Sequence, residues 1–143
     1  MKKKVSLEKK ILAVLENELQ ESAGTFLTII DIAKEIYGDG YQRRTAYIFN
    51  KQVKDRMSKV RELAEQNGMI VIPYRTPIKG NPAIKFKISG WKIADEGDET
   101  YIIDELLFKK RKGEEHSESF YKLKTNARRQ GIVSGEKLRE LAS

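Results

Sequence analysis

The feature that most constrains the fold is a long amphipathic pattern between residues 42 and 67. Its apolar members recur at steps of three and four residues, which places them on one face of an α-helix. They are Ala46, Phe49, Val53, Met57, Val60 and Ala64. Gly68 follows, and glycine is the residue that most often ends a helix. We therefore predict one long central helix, against whose apolar face the rest of the fold must pack.

Two shorter helices are predicted before the long one. The first runs from Ser6 to about Glu21, because Ser6 has the side chain of a helix N-cap and a helical apolar pattern follows it. The second begins after Thr28, another N-cap residue, whose acidic partner near the helix start is Asp31. A Gly-Asp-Gly turn at residues 38–40 then ends the second helix.

A β-hairpin is predicted immediately after the long helix. Residues 69–74 are rich in β-branched and aromatic side chains, and residues 84–88 alternate apolar side chains with Lys85 and Lys87. This alternation buries the apolar side chains on one face and presents the two lysines on the other. Residues 75–82 contain proline, glycine and asparagine, so we expect them to form the loop.

The composition changes after the hairpin, where acidic residues cluster. We therefore divide the chain into a first domain, residues 1–94, and a helical extension, residues 95–143. Six large apolar residues lie between Tyr101 and Phe108, which is more than one narrow stripe of a solvated helix can hide. They must pack on the first domain, on the next helix or on another chain. We expect them to pair two subunits into a homodimer through residues 98–130.

The positive charge of the chain is concentrated in its middle third. The chain carries 28 Lys+Arg and 21 Asp+Glu, a net charge of +7. Residues 41–94 hold twelve bases and three acids, whereas residues 1–40 and 95–143 each sum to −1. Such a local excess is typical of a surface that faces a polyanion. A solvated, lysine-rich exterior would give the same count.

The residue types present exclude most catalytic and metal-binding chemistry. The chain has no cysteine and one histidine, so it lacks thiol nucleophiles and cysteine-ligated zinc. The acidic residues at 95–99 lack the spacing of an EF-hand. No apolar run approaches the roughly 20 residues that span a bilayer, and no signal-peptide pattern follows the basic start. We expect a cytoplasmic protein that is not an enzyme and that binds no cofactor, metal, membrane or small-molecule substrate.

The order of the predicted elements resembles that of the winged helix-turn-helix family of DNA-binding domains. The order is helix, short strand at residues 25–27, helix, turn, helix and two-stranded hairpin. The resemblance is carried by TIIDIAKEI at residues 28–36, VKDRMSKVREL at 53–63 and NGMIVI at 67–72. It implies an α+β, mostly helical fold, with a winged helix-turn-helix and a C-terminal helical extension. It also implies that the partner is double-stranded DNA.

In this family the third helix enters the major groove, and we expect the helix around residues 42–58 to do so here. The side chains expected to contact DNA lie opposite or beside its apolar face: Arg43, Arg44, Tyr47, Asn50, Lys51, Lys54 and Ser58. The two arginines and the asparagine suit base edges, and the two lysines suit phosphates. Ile48 also falls on the outward face. A helix break at Asn50 would remove Ile48 from the outward face and would shift the recognition residues.

The hairpin corresponds to the wing, which in this family contacts phosphates or the adjacent minor groove. The residues expected to make these contacts are Tyr74, Arg75, Lys79, Lys85 and Lys87, with Arg75 and Lys79 at the tip. About six phosphate contacts would give a log–log salt slope near −5. The same lysines and prolines could instead protect a sheet edge from aggregation.

These expectations together describe a transcription regulator that binds double-stranded DNA. It would read the major groove with residues 42–58, and phosphates or the minor groove with residues 69–88. One alternative is a winged-helix adaptor in replication or transcription machinery, whose basic surface faces an acidic protein. A second alternative is a nuclease that uses the acidic residues after Asp95.

Overall fold

The computed structural model describes residues 5–22, 25–77 and 86–142. Its elements follow the chain as α1 (Leu7–Ser22), α2 (Ile29–Tyr37), α3 (Ala46–Gln66), β1 (Val71–Pro77), β2 (Phe86–Ile93), α4 (Glu99–Arg111), α5 (Glu118–Arg129) and α6 (Gly135–Ala142). A 3-10 turn, Gly38–Gly40, follows α2 directly. The expected α+β, mostly helical class is confirmed.

The first two helices begin at the capping residues that the sequence predicts. The amide of Lys9 donates to Ser6 Oγ at 3.3 Å, in the first turn of α1. At the start of α2, Thr28 Oγ1 accepts from the Asp31 amide at 3.0 Å, and the Asp31 carboxylate accepts from the Thr28 amide at 3.1 Å. This reciprocal pair is a capping box, and it fixes which side chains of α2 face inward.

The long helix α3 begins at Ala46, four residues later than predicted. Thr45 Oγ1 donates to the Gly40 carbonyl at 2.7 Å and accepts from the Gln42 amide at 2.9 Å, so the preceding residues are held in a turn. The helix is continuous through Asn50, and the alternative of a break there is wrong. The buried face is the predicted one, with Val53, Met57, Val60 and Ala64.

Strands β1 and β2 form an antiparallel hairpin, and the segment before α2 lies against β2. Leu27 and Trp91 exchange two backbone hydrogen bonds of 2.8 Å. The expected loop at residues 75–82 is wrong at its start, because β1 continues to Pro77. The rest of that loop, together with Lys79 and Lys85, lies outside the described residues.

The alternation predicted for the second strand fails at Ile88. Its side chain is exposed rather than buried. The register of the hairpin shifts between Tyr74 and Arg75, which pair with Gly90 and Ile88 and leave Ser89 without an opposite residue. Such an irregularity reverses the faces of the residues beyond it.

Two apolar cores lie on the two faces of the hairpin. The first joins α1, α2 and α3 to Val71, Trp91 and Ile93. The second joins α4, α5 and α6 to Ile70, Ile72 and Ala94. Because successive side chains of a strand point to opposite faces, residues 70–72 contribute to both cores in turn. The C-terminal helices therefore pack on the hairpin face that is turned away from the first core.

Much of the apolar surface of α4, which was predicted to pair two subunits, is buried within the chain. Ile102 and Leu106 are buried in the second core, and Ile103 packs against it. Tyr101 and Leu107 stay exposed. Packing on the first domain and on the following helix accounts for most of this surface. Pairing of two subunits through residues 98–130 stays a prediction.

Candidate nucleic-acid interface

An open groove of about 860 Å³ lies between helices α2 and α3 and the hairpin. Helix α3 contributes Tyr47, Asn50, Lys51, Lys54 and Asp55 to its lining. The hairpin contributes Arg75, Lys87, Ile88 and Trp91, and the start of α2 contributes Ile29 and Ile30. Six of the twelve residues expected to contact DNA thus line one surface, which we call the groove.

Local structure explains why these side chains converge. Residues 47, 51 and 54 are separated by steps of four and three, so they form one stripe along α3. The paired backbone hydrogen bonds between Leu27 and Trp91 bring the start of α2 beside β2. The described residues that line the groove consequently all belong to helices or strands.

Four of the twelve bases between residues 41 and 94 form ion pairs inside the described protein. The pairs are Arg56 with Glu8, Arg61 with Glu105, Arg75 with Glu105 (each 3.1 Å) and Lys92 with Asp98 (2.7 Å). Six other bases are exposed and form no ion pair with a described carboxylate: Arg43, Arg44, Lys51, Lys54, Lys59 and Lys87. Three of these, Lys51, Lys54 and Lys87, line the groove and give it its positive charge.

Arg75 is held by the C-terminal extension, and it does not lie at the tip of the wing. Its Nε and Nη2 atoms donate to the two carboxylate oxygens of Glu105, each at 3.1 Å. Its guanidinium lies 3.8 Å from the centre of the Phe108 ring. The positive charge of Arg75 is therefore balanced within the chain, although the residue borders the groove.

Glu105 is the residue that the sequence analysis missed. It is 3% exposed and accepts a further hydrogen bond of 3.1 Å from Arg61 on α3. Burial by itself raises the pKa of Glu105, but the hydrogen bonds and charges of Arg75 and Arg61 outweigh burial and hold the pKa below its usual range. The sequence carried one signal of this role, the two adjacent carboxylates Asp104 and Glu105 in the middle of an apolar run.

The residues expected to read bases occupy different surroundings. Arg43 and Arg44 are exposed in the turn before α3, outside the lining of the groove. Asn50 lines the groove, and its Oδ1 accepts from the Tyr41 hydroxyl at 3.0 Å. Tyr47 projects from the first turn of α3 with 77% of its surface exposed.

Two further expected contacts lie away from the groove. Ser58 borders a separate depression of about 530 Å³ between α3 and α5. Tyr74 packs against Phe26 and Tyr101, with ring centres 5.2 Å and 6.3 Å apart, and it lines a pocket beside α4. The α3 stripe of residues 47, 51 and 54 and Lys87 on β2 therefore lie together in the groove. Ser58 and Tyr74 lie elsewhere.

The acidic residues near position 95 form a structured turn. Asp98 is buried and pairs with Lys92, and it accepts a 2.8 Å hydrogen bond from the Asp95 amide. The side chain of Asp95 in turn accepts from the Gly97 amide at 3.1 Å. Within the described ranges, no three His, Asp or Glu side chains are grouped so as to hold a metal ion.

Comparison with known proteins identifies no relative of this chain. No protein family, no curated protein and no solved structure matches this chain. In the part of the chain that the structure describes, no helix combines the length and the apolar character needed to cross a membrane. The groove, with its charges and its apolar lining, is thus the feature from which function is inferred.

Proposed function

We propose that this chain is a winged helix-turn-helix protein that binds double-stranded DNA, with α3 in the major groove and the hairpin as the wing. The observation that carries the proposal is the convergence of Lys51, Lys54 and Lys87 on one groove, where no described carboxylate pairs with them. The pairing of Leu27 with Trp91 supports the fold, because this single β-bridge lies where the winged-helix order has its short strand.

The proposed contacts follow from the position of each side chain. Lys51 and Lys54 on α3, together with Lys87 on β2, neutralise phosphates on the two strands that border the major groove. The first turn of α3 has no acidic residue, so its partial positive charge faces the DNA unopposed. Arg43 and Arg44 precede that turn and add contacts beside it.

We propose transcription regulation in the cytoplasm as the biological role. A protein that holds duplex DNA through phosphates and base edges, without cutting it, acts by occupying a site. Pairing of two subunits through residues 98–130 belongs to this proposal, since dimers of such domains bind two half-sites. Sedimentation at micromolar concentration tests that pairing, and a monomer would refute it.

Two lysines on the same helix allow a matched test of the DNA-binding surface. Lys54 lines the groove, whereas Lys59 is also exposed on α3 and lies outside the groove. We expect Lys54→Ala to weaken binding to a random-sequence duplex and to flatten the log–log salt slope by about one unit. Lys59→Ala, which removes the same charge, should leave the slope unchanged. Fluorescence anisotropy across a salt series measures both quantities.

Two results of this experiment would contradict the proposal. Equal losses for Lys54→Ala and Lys59→Ala would mean that net charge alone attracts DNA. An absence of binding even at low salt would remove DNA as the partner.

One observation favours the adaptor as a second candidate function. The groove also exposes Ile30, Tyr47 and Ile88, and an acidic amphipathic helix could cover such a mixed apolar and basic surface. An adaptor would bind random duplex DNA weakly at low salt, so the same anisotropy experiment separates the two functions. The nuclease alternative is tested by incubating duplex DNA with the protein and Mg²⁺ or Mn²⁺, where intact DNA counts against it.

A further inference from the structure

The groove leaves three large apolar side chains open to solvent. Ile30 is 47%, Tyr47 is 77% and Ile88 is 38% exposed, and all three line the groove. Single exposed apolar residues are ordinary, but a group of them on one surface marks a binding site. Because lysines lie among them, the partner must offer both negative charge and apolar atoms.

The exposure of these side chains is imposed by regular backbone structure. The capping box at Thr28 sets the start of α2, so that Ile32 and Ala33 point inward and Ile30 points outward. The register shift in the hairpin places Ile88 opposite Arg75. Tyr47 is the second residue of α3. The exposure of both isoleucines is thus tied to these local structures.

The polar side chains of the groove are poorly placed to read bases by paired hydrogen bonds. Recognition of adenine by asparagine uses both the amide oxygen and the amide nitrogen. The oxygen of Asn50 accepts one hydrogen bond from the Tyr41 hydroxyl, which occupies one of its two acceptor positions. Lys51, Lys54 and Lys87 serve phosphates in the proposed function. Apolar contact is therefore a means of base discrimination in the groove beside the hydrogen bonds of Asn50 and Asp55.

Resting on the proposed DNA binding, we propose that Ile30, Tyr47 and Ile88 contact the C5-methyl groups of thymine. The thymine methyl is the one apolar group that base pairs present in the major groove. Cytosine has a hydrogen at the same position, so apolar side chains here distinguish the two pyrimidines. The preferred DNA is thymine-rich where the groove covers it.

Chemically matched duplexes test the proposal with the full chain. An alternating adenine–thymine duplex is compared with the same duplex containing deoxyuridine, which lacks only the methyl group. We expect the deoxyuridine duplex to bind about fourfold more weakly for each methyl contacted. A guanine–cytosine duplex should gain affinity when its cytosines carry a 5-methyl group. The salt slope should not change within either pair, since the phosphates are the same.

Matched isoleucine variants separate methyl contact from changes in DNA shape. Ile30 lies in the groove, whereas Ile48 is similarly exposed, at 54%, on α3 but outside the groove. Ile30→Ala should bring the thymine-to-deoxyuridine affinity ratio toward one. Ile48→Ala should keep the ratio of the unmodified protein. Circular dichroism melts confirm that both variants fold.

The outcomes distinguish this inference from the function on which it rests. If neither duplex binds, the proposed DNA binding itself fails. If both duplexes bind equally well, or if the preference survives in Ile30→Ala and Tyr47→Ala, methyl recognition is overturned while DNA binding stands.

Discussion

The carboxylate of Glu105, carried by α4, accepts hydrogen bonds from Arg61 on α3 and from Arg75 on β1. One buried negative charge thus connects the helix proposed to enter DNA, the proposed wing and the C-terminal extension. Removing the negative charge leaves the partly buried positive charges without compensation. The loss of folding free energy is therefore larger than for an exposed ion pair.

We therefore expect Glu105→Gln to lower the free energy of unfolding by about 3 kcal/mol. The glutamine side chain keeps the shape of glutamate but leaves two guanidinium groups facing a neutral amide. Urea denaturation measures the change. Glu96→Gln makes the same substitution at an exposed site and should change the free energy by less than about 0.5 kcal/mol. Similar midpoints for the two variants would contradict the role of Glu105.

The lowered pKa of Glu105 also predicts a pH dependence of stability. The unfolded chain takes up this proton near the ordinary glutamate pKa of about 4.3, whereas the folded protein takes it up only at lower pH. The stabilisation is complete above about pH 4.3 and is lost as the pH falls through the folded pKa. Urea denaturation between about pH 3 and pH 6 should show a shallower loss for Glu105→Gln. The same pH profile for both proteins would refute the prediction.

Arg75 shows what the sequence cannot reveal about a single residue. Its type and its place near a predicted loop indicated a phosphate contact. Its actual partner, Glu105, lies 30 residues further along the chain, and no local pattern connects the two. By contrast, Lys51 and Lys54 could be placed from helical spacing alone, because their position depends only on the register of α3.

At the scale of elements, the start of α2 and strand β2 approach each other closely at Gly90. A Cβ atom at this position would lie 3.0 Å from Phe26 Cβ and 3.2 Å from the Leu27 carbonyl oxygen. Any larger side chain therefore pushes away the segment that pairs with Trp91. The same segment positions Ile29 and Ile30 in the groove, so the groove depends on a glycine here.

We expect Gly90→Ala to lower the free energy of unfolding by about 2 kcal/mol, because a backbone segment has to move. Gly40→Ala is the control, since no atom lies within 4 Å of a Cβ added there. Chemical denaturation of the two variants measures the difference. Equal stability of Gly90→Ala and the unmodified chain would contradict the close approach of Phe26 and Leu27 to Gly90.

Element boundaries were predictable where a local signal sets them. Thr28 and Asp31 identify the start of α2, because capping is a short-range interaction. The start of α3 was misplaced because the hydrogen bonds of Thr45 hold residues 42–45 in a turn that has no strong sequence signal. The exposure of Ile88 was missed because the register shift depends on pairing between the two strands.

At the scale of the whole molecule, the hairpin lies between two apolar cores and contributes side chains to both. Residues 69–73 are an uninterrupted apolar run, which is typical of a strand covered on both faces. The helices α4 to α6 cover the hairpin face that is turned away from the first core, and this packing buries much of the apolar surface of α4. This arrangement leaves the groove open to a partner.

The same arrangement divides the positively charged residues of the middle third into two groups. Arg61, Arg75 and Lys92 are bound to carboxylates of the extension and hold the two parts of the chain together. The lysines of the groove remain available for a polyanion. The proposed function thus uses only part of the basic excess that the sequence displays, and the rest is structural.

Titration of random duplex DNA into the ¹⁵N-labelled full chain, followed by amide chemical shifts, locates the bound surface directly. The proposed function predicts that the shifted amides lie within residues 29–30, 47–55 and 87–91, the segments that contribute side chains to the groove. The chemical shifts of the amides in α5 and α6 should not change. Shifts spread evenly over the basic residues of the molecule, or gathered on α5, would contradict the groove as the surface that binds DNA.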